Sequence, residues 1–358
     1  MKLVLTLLVR DEEDIVDAHL AFHLNAGVDF AIVTNNRSQD GTAEILDRYA
    51  RAGYAHVITE DREDLRQDQW VTRMARLAAT DFGADWVINS DADEFWWPRG
   101  TSLKEVLEPI PRQYAVVRAA WRSFPPRPGD EYFAERMTVR LAPQAPINDP
   151  TSPFRPQAKI IHRAHPDVVV GRGNHTIEAG PSTPLRGWYP AEVLHFPVRS
   201  LEQCERKNLA KLDAWRKNPR GFGTAYQARA ANATRDGRIA EYYDTLCIDD
   251  EALERGVADG SLAVDTRLRD ALRTLRGRGG SLGFGPPAAG SRGLGIAPPS
   301  VADDAAYAVD VSVLAEADEI RIQRRLDELD ARLVAVESRL ATRLQRSLRR
   351  LMRAARPR

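Results

Sequence analysis

Three carboxylates arrive within four positions at Asp91, Asp93 and Glu94, immediately after the apolar run Trp86-Val87-Ile88. Such a run reads as a buried strand, and the acids that close it need a counter-charge or a cation. Asp91 and Asp93 are two apart, so they point the same way in extended backbone, and a turn at Ala92 would splay them around one ion. Carboxylate oxygens suit Mg²⁺ and Mn²⁺, and Mg²⁺ commonly takes one or two carboxylates together with the oxygens of a bound phosphate. The competing reading is a solvated acidic turn that caps a helix starting near Ser102. A second pattern lies at 193–200, where an apolar strand delivers His195 and Pro197 blocks its continuation. Ser200 and Gln203 then form a capping box for a helix through Trp215.

The elements that must position these groups are legible from periodicity. Residues 3–9 are near-continuously apolar, the pattern of a strand covered on both faces. A helix over 13–26 follows, with Ile15, Val16, Leu20, Phe22 and Leu24 on its apolar face and Gly27 at its end. His19 and His23 have metal-binding spacing, but beside Phe22 and Leu24 they read as a packed or surface pair. Strands are predicted at 30–34 and 55–59, with helices over 42–52 and in the second half of 62–79. Four strand-helix alternations predict an α/β fold with a mostly parallel sheet whose ligands sit beyond the carboxyl ends of the strands. Those ends carry Arg10, Asp11 and Glu12, then Asn35 and Asn36, then the acidic cluster.

Composition narrows the functional class. With 358 residues the chain can form one large or two ordinary domains, and 51 Lys plus Arg balance 51 Asp plus Glu, which argues against a nucleic-acid partner. Two cysteines, Cys204 and Cys247, are too few for a disulfide framework and fit a reducing cytoplasm. The 3–9 run is too short for a membrane span or a signal-peptide core.

The residues Leu7-Leu8-Val9-Arg10-Asp11-Glu12, Asn35-Asn36-Arg37-Ser38-Gln39-Asp40-Gly41-Thr42 and Asp91-Ala92-Asp93-Glu94-Phe95-Trp96 occur in an order that resembles the family 2 glycosyltransferases of the Rossmann-like GT-A fold. More narrowly, the chain is similar to the bacterial subgroup in which Asp-x-Asp is followed by Glu-Phe-Trp. The resemblance covers roughly the first two hundred residues. It implies that Asp93 and Asp91 hold Mn²⁺ or Mg²⁺ against the diphosphate of a nucleotide sugar, with His195 as a third ligand and His175 as its rival. A buried structural histidine is the alternative at either position. The commoner family pattern has aspartates where this chain has Asn35 and Asn36, a departure that bears on nucleotide choice because an amide can both donate to and accept from a base edge.

Arg66, Gln69 and Arg73 precede the acidic strand and could reach the nucleotide, as could Lys159 in a strand over 158–162. Arg199, Arg206 and Lys207 are candidates for neutralising phosphate or else form a solvated helix face. Gly171 to His175 reads either as tight backbone beside a ligand or as a hairpin turn. Transfer with inversion needs a base for the acceptor hydroxyl. Glu94, Asp130 and Glu178 are the leading candidates, with Glu131, Glu135 and Asp167 also open. Trp96 and Trp97 could wall a sugar face or belong to the core.

The expected division is a glycosyltransferase domain over 1–220, a helical extension over 221–276, a flexible Gly- and Pro-rich linker over 277–311 and an amphipathic Arg-rich helix over 312–358. In the last, Ile322, Leu326, Leu329, Leu333, Val336 and Leu340 alternate four and three apart, which reads as a coiled-coil seam for self-association. The basic end could instead lie on the inner, anionic face of a membrane. The leading expectation is a metal-dependent glycosyltransferase acting on a nucleotide-sugar donor and a glycan or lipid-linked acceptor. A phosphate-ester hydrolase and a non-catalytic nucleotide- or glycan-binding scaffold are the competing classes.

Overall fold

The computed structural model describes residues 1–63, 66–143, 152–217, 225–279, 284–287 and 293–354. Outside them lie 144–151 in the irregular loop expected at 143–156, the boundary expected near residue 220, and parts of the Gly- and Pro-rich stretch. The side chains of Leu340 and of the arginines from Arg339 onward are also outside.

Strands β1 (Leu3–Val9), β2 (Phe30–Asn35), β3 (Ala55–Thr59) and β4 (Trp86–Asp91) alternate with helices α1 (Val16–Asn25), α2 (Thr42–Arg51) and α3 (Gln67–Thr80). They pair in the order β3-β2-β1-β4, all parallel. β1 is apolar except for Thr6, which donates to Asn89 Oδ1 at 2.7 Å, because both of its faces are covered. Leu3, Leu5, Leu7 and Val9 join the cluster that contains Val16, Leu20 and Phe22 of α1, whereas Val4 joins Val71, Met74 and Ala78 of α3. The predicted α/β architecture, a mostly parallel sheet flanked by helices, is therefore present.

The remaining strands are β5 (Glu94–Pro98), β6 (Val116–Ser123), β7 (Val139–Leu141), β8 (Ala158–Arg163), β9 (Val169–Val170), β10 (Ile177–Ala179), β11 (Ala191–His195) and β12 (Leu262–Val264). The eight-stranded sheet continues β4-β8-β6-β11-β5, with β8 and β5 running antiparallel to their neighbours. Only Ala92 and Asp93 join β4 to β5, yet three strands lie between them. Four inter-strand spacings of a flat sheet would need about 19 Å, while the steps from Asp91 to Glu94 reach about 11 Å at most. The sheet must curl, and the acidic turn bridges the mouth of the curl.

Two of the expected alternatives resolve here. Ser102 caps the helix Leu103–Leu107 itself, accepting from the Glu105 amide at 3.2 Å, so the acidic turn is not that helix's cap. Of the two readings left open for His19 and His23, a packed or a surface pair, the structure shows the packed one, with both side chains buried. The Nδ1 of His23 meets the His19 carbonyl at 2.7 Å, its Nε2 accepts from the Trp96 amide at 3.1 Å, and His19 Nε2 lies 3.1 Å from Ser90 Oγ. Trp96 belongs to the core, with Nε1 donating to the same Ser90 hydroxyl at 3.1 Å.

Beyond the sheet, β12 pairs with β7, and the described part of the Gly- and Pro-rich stretch packs on the body, with Leu294 and Ile296 buried in the main core. The helix Val301–Ala354 docks through its first turns. Tyr307 donates to the Ala191 carbonyl at 3.2 Å under the Arg99 guanidinium, Asp310 meets Arg122 at 2.6 Å, and Leu314 is buried beside Ala120 and Tyr189. Among the described residues no helix is long and apolar enough to cross a membrane.

One ion-pair clamp ties the first loop to the end of β11. Arg199, expected to neutralise phosphate, is instead buried against the protein's own acids: it lies 2.5 Å from Glu12, 2.6 Å from Asp14 and 3.3 Å from the Phe196 carbonyl. Burial alone would raise the Asp14 carboxyl, but Arg199 pulls it below the usual range. Replacing Arg199 by Leu strands two carboxylates and is expected to cost about 3–5 kcal/mol in urea unfolding at neutral pH. A depressed carboxyl contributes stability above its unfolded pKa and loses it as pH falls through the folded value, so the gap between parent and variant should narrow in acid.

Candidate active site

The carboxyl rim of the parallel strands is assembled by loop-to-loop hydrogen bonds. Asp11 sits in the left-handed region at φ 54°, where its short polar side chain accepts from the Gln39 amide at 2.7 Å while its own amide donates to Ser38 Oγ at 3.1 Å. Glu13 accepts from the Gly41 amide at 2.7 Å. Asn35 and Asn36 are held by a neighbour and by backbone: Asn35 Oδ1 accepts from Ser38 Oγ at 2.7 Å, and Asn36 Nδ2 donates to the carbonyls of Glu60 and Arg62 at 3.0 and 2.9 Å. Asn36 thereby fixes the loop after β3 and remains on the wall of a crevice.

That crevice runs between Arg10, Asp11, Glu12 and Asn36 on one side and Gln203, Arg206, Lys207 and Lys211 of the helix Leu201–Lys217 on the other. The predicted capping box starts this helix: the Gln203 amide donates to Ser200 Oγ at 3.1 Å, and Gln203 Oε1 accepts from the Arg199 amide at 3.2 Å. Residues 203, 207 and 211 follow one another at one helical turn, so Lys207 and Lys211 share the face toward the crevice.

Two lysines neutralise the acidic turn. Lys207 Nζ lies 2.6 Å from Asp93 Oδ2. Lys159, wholly buried at the start of β8, reaches Asp91 at 3.0 Å, Glu94 at 2.7 Å and the Gly173 carbonyl at 2.7 Å. Burial would raise the Asp93 carboxyl, but Lys207 and further neighbouring charges hold it well below the carboxylate range. Burial pushes Glu94 up to about 8, against the pull of Lys159. With Oε2 on the Asp91 amide at 3.2 Å and no exposed surface, Glu94 braces the turn and is closed to an acceptor.

His195 completes the turn. It pairs in register with Glu94 across β11 and β5, stacks on Trp121 at 4.0 Å between ring centroids, and brings Nε2 to 3.8 Å from Asp93 Oδ1. Burial lowers its pKa to about 3, so the ring is neutral and keeps a lone pair, while its buried Nδ1 has no hydrogen-bond partner among the described residues. The ligand atoms of Asp93, Glu94 and His195 lie within 4.8 Å of one another, an arrangement able to hold a metal ion. Around an octahedral ion with bonds near 2.1 Å, cis ligands are about 3 Å apart and trans ligands about 4.2 Å; the 3.8 Å between Asp93 and His195 falls between the two, so a small side-chain shift would bring both onto one ion. Asp93 can offer Oδ1 while Oδ2 stays on Lys207.

Other predicted residues are placed differently. Asp91 and His175 fall outside that cluster. Asp91 is held by Lys159, by Asn174 Nδ2 at 3.3 Å and by Gln67 Nε2 at 3.4 Å, with its side chain one-third exposed. His175 turns Nδ1 to the Ala158 carbonyl at 2.9 Å and its ring to the edge of Trp121. Gln69 is exposed, Arg66 bonds to Gln69 at 3.4 Å, and Arg73 meets Glu60 at 3.4 Å, so among the polar side chains of this helix Gln67 is the one recorded against the acidic turn. Asp130 and Glu178 are both exposed, Glu178 on the β9–β10 hairpin.

Sequence reasoning missed Gln67, Asn174, Trp121 and Lys211. Only Lys211 left a signal, its i, i+4 spacing from Lys207. It is the group with the most distinctive chemistry, because burial and the nearby Lys207 lower its pKa to about 8. An anion in the crevice would relieve both effects. At pH 8 a large share of Lys211 is the neutral, nucleophilic amine, so acylation should modify it ahead of the exposed lysines. Its lead should fade toward pH 6.5 as it protonates, and added pyrophosphate should protect it; peptide mass spectrometry reads all three.

No protein-family model and no curated protein matches this chain. Among solved structures it is similar to S. aureus TarS (residues 1–349) in complex with UDP, at 12% identity and a TM-score of 0.32, over 65% of this chain and 70% of that one. It is also similar to glucosyl-3-phosphoglycerate synthase from Mycobacterium tuberculosis in complex with Mn²⁺, UDP and glucosyl-3-phosphoglycerate. That alignment has 21% identity and a TM-score of 0.24, and covers 36% of this chain and 45% of the mycobacterial one.

Proposed function

We propose that this protein is a divalent-cation-dependent glycosyltransferase that moves a sugar, with inversion, from a nucleotide diphosphate to an acceptor hydroxyl. The observation that carries the reading is the convergence of Asp93, Glu94 and His195 beside a crevice lined by Arg10, Arg206, Lys207 and Lys211. Cationic side chains next to a carboxylate–imidazole cluster suit a diphosphate whose one end is gripped by protein and whose other end meets a cation.

Each group then has a defined task. Asp93 Oδ1 and the neutral His195 would hold Mn²⁺ or Mg²⁺, which when bound supplies positive charge to the departing diphosphate. Lys207 keeps Asp93 ionised and aimed, while Lys211, Arg206 and Arg10 supply donors to phosphate oxygens from both sides of the crevice. Asn36 shapes the floor on which the nucleoside lies, and its amide nitrogen is already spent on backbone, so only its oxygen can accept from a base. Lys159 and Glu94 pin the turn from behind, and Trp121, stacked on His195, keeps water from that side.

The test is donor binding and turnover measured on the same preparation. Uridine, guanosine and thymidine diphosphates are titrated by calorimetry with and without Mn²⁺, and at least one should bind only with the metal. Asp93→Ala should lower transfer by about 100-fold or more with the far-UV spectrum unchanged. Metal-dependent transfer at the parent rate in Asp93→Ala would remove this residue from the mechanism. Donor binding with no turnover against any acceptor would identify a binding scaffold, and phosphate release without transfer a hydrolase.

A further inference from the structure

The helix Val301–Ala354 changes character along its length. Its first turns are fastened to the sheet by Tyr307, Asp310 and Leu314, and Leu314 is only 2% exposed. Past that point the apolar residues are open to solvent: Ile322 is 61% exposed, Leu326 49%, Leu329 46%, Leu333 57% and Val336 50%. At 100° per residue this row sits roughly a quarter turn around the helix from the docked face, so the body cannot cover both.

The charges beside the row say what does. With Leu326, Leu333 and Leu340 at heptad position a and Ile322, Leu329 and Val336 at d, the g positions are Arg325, Arg332 and Arg339, and the e positions are Gln323, Asp330 and Glu337. In a parallel coiled coil, g of one helix faces e of the next heptad on its partner, which sets Arg325 opposite Asp330 and Arg332 opposite Glu337. These pairs are five apart in sequence, a spacing that does not bring them together within one helix. An antiparallel arrangement would set arginine against arginine and acid against acid, and a partner of other sequence would have no reason to carry this complement.

We propose that this protein self-associates, the distal half of the Val301–Ala354 helix forming a parallel, in-register coiled coil with the same segment of further copies of the chain. Parallel registry places the catalytic bodies at one end of the stalk, so a repetitive acceptor would meet several crevices at raised effective concentration.

Light scattering on the full chain in solution should give a whole multiple of the single-chain mass. Leu326→Asp with Leu333→Asp should give the single-chain mass while the body's thermal unfolding is kept. Asp330→Arg with Glu337→Arg should weaken association by about tenfold, and adding Arg325→Glu with Arg332→Glu should restore it, an exchange that loss of helix alone would not reproduce. Val336→Cys should form a disulfide with its own counterpart under mild oxidation. A single-chain mass for the parent, including a monomer that binds anionic vesicles, overturns the proposal. So does charge exchange without restoration, or failure of Val336→Cys to cross-link in a variant that still associates.

Discussion

The structure depends on keeping three carboxylates together in a turn where only Asp91 reaches water. Asp93 and Glu94 are buried, and an isolated carboxylate in such a place would take up a proton or unfold its surroundings. Lys207, from the helix after β11, keeps Asp93 ionised, while Lys159 from β8 opposes the burial that still lifts Glu94 to about 8. Neither is near the turn in sequence, so the acidic stretch is tolerable only once strands and helix from the second half of the domain are in place. The curl of the sheet follows from the same constraint, because β5 must leave the turn along β11 while β4 ends on the other side of β8 and β6.

That division explains what could be read from residues alone. β1 was legible because a strand covered on both faces shows as a near-continuous apolar run, β2 to β4 as shorter runs with β-branched residues, and the helices between them by their period. The joining of β5 to β11 was not, since pairing between distant strands leaves no mark in either one. The acidic turn and His195 were visible as chemistry without context. Arg199 shows the cost of that: a basic residue after a site histidine suggests a phosphate ligand, yet its charge is consumed by Glu12 and Asp14, which stand 187 and 185 positions away. Lys207 was visible as a cation, and its true partner, Asp93, was not.

Asn35 and Asn36 bear on how far resemblance can carry a residue's role. The amide of Asn36 donates to two backbone carbonyls, a task that an aspartate, which when ionised only accepts, could not perform. Asn36 therefore serves the loop after β3 as well as the wall of the crevice. An aspartate at position 36 would leave the carbonyls of Glu60 and Arg62 without that donor and add a negative charge beside the crevice. Any part of this asparagine in the proposed nucleotide binding is thus coupled to its hold on the loop.

The strands that present the site also anchor the long helix. Trp121 and Arg122 are consecutive on β6 and point to opposite faces: the first stacks on His195, while the second binds Glu192 at 2.6 Å and Asp310 at 2.6 Å. Glu192 lies on β11 with His195 and also takes Arg99 and Arg267, so the charges under the helix are paired among themselves and hold the sheet's back face rigid. Buried pairs of this kind add little net stability over an apolar core, but they are intolerant of shifts in register. Their value here is positional. A slip of β11 by one residue would exchange its faces, sending His195 under the helix and Glu192 toward the acidic turn, and the Arg122–Glu192–Arg267 cluster makes that slip expensive on both sides of the sheet at once.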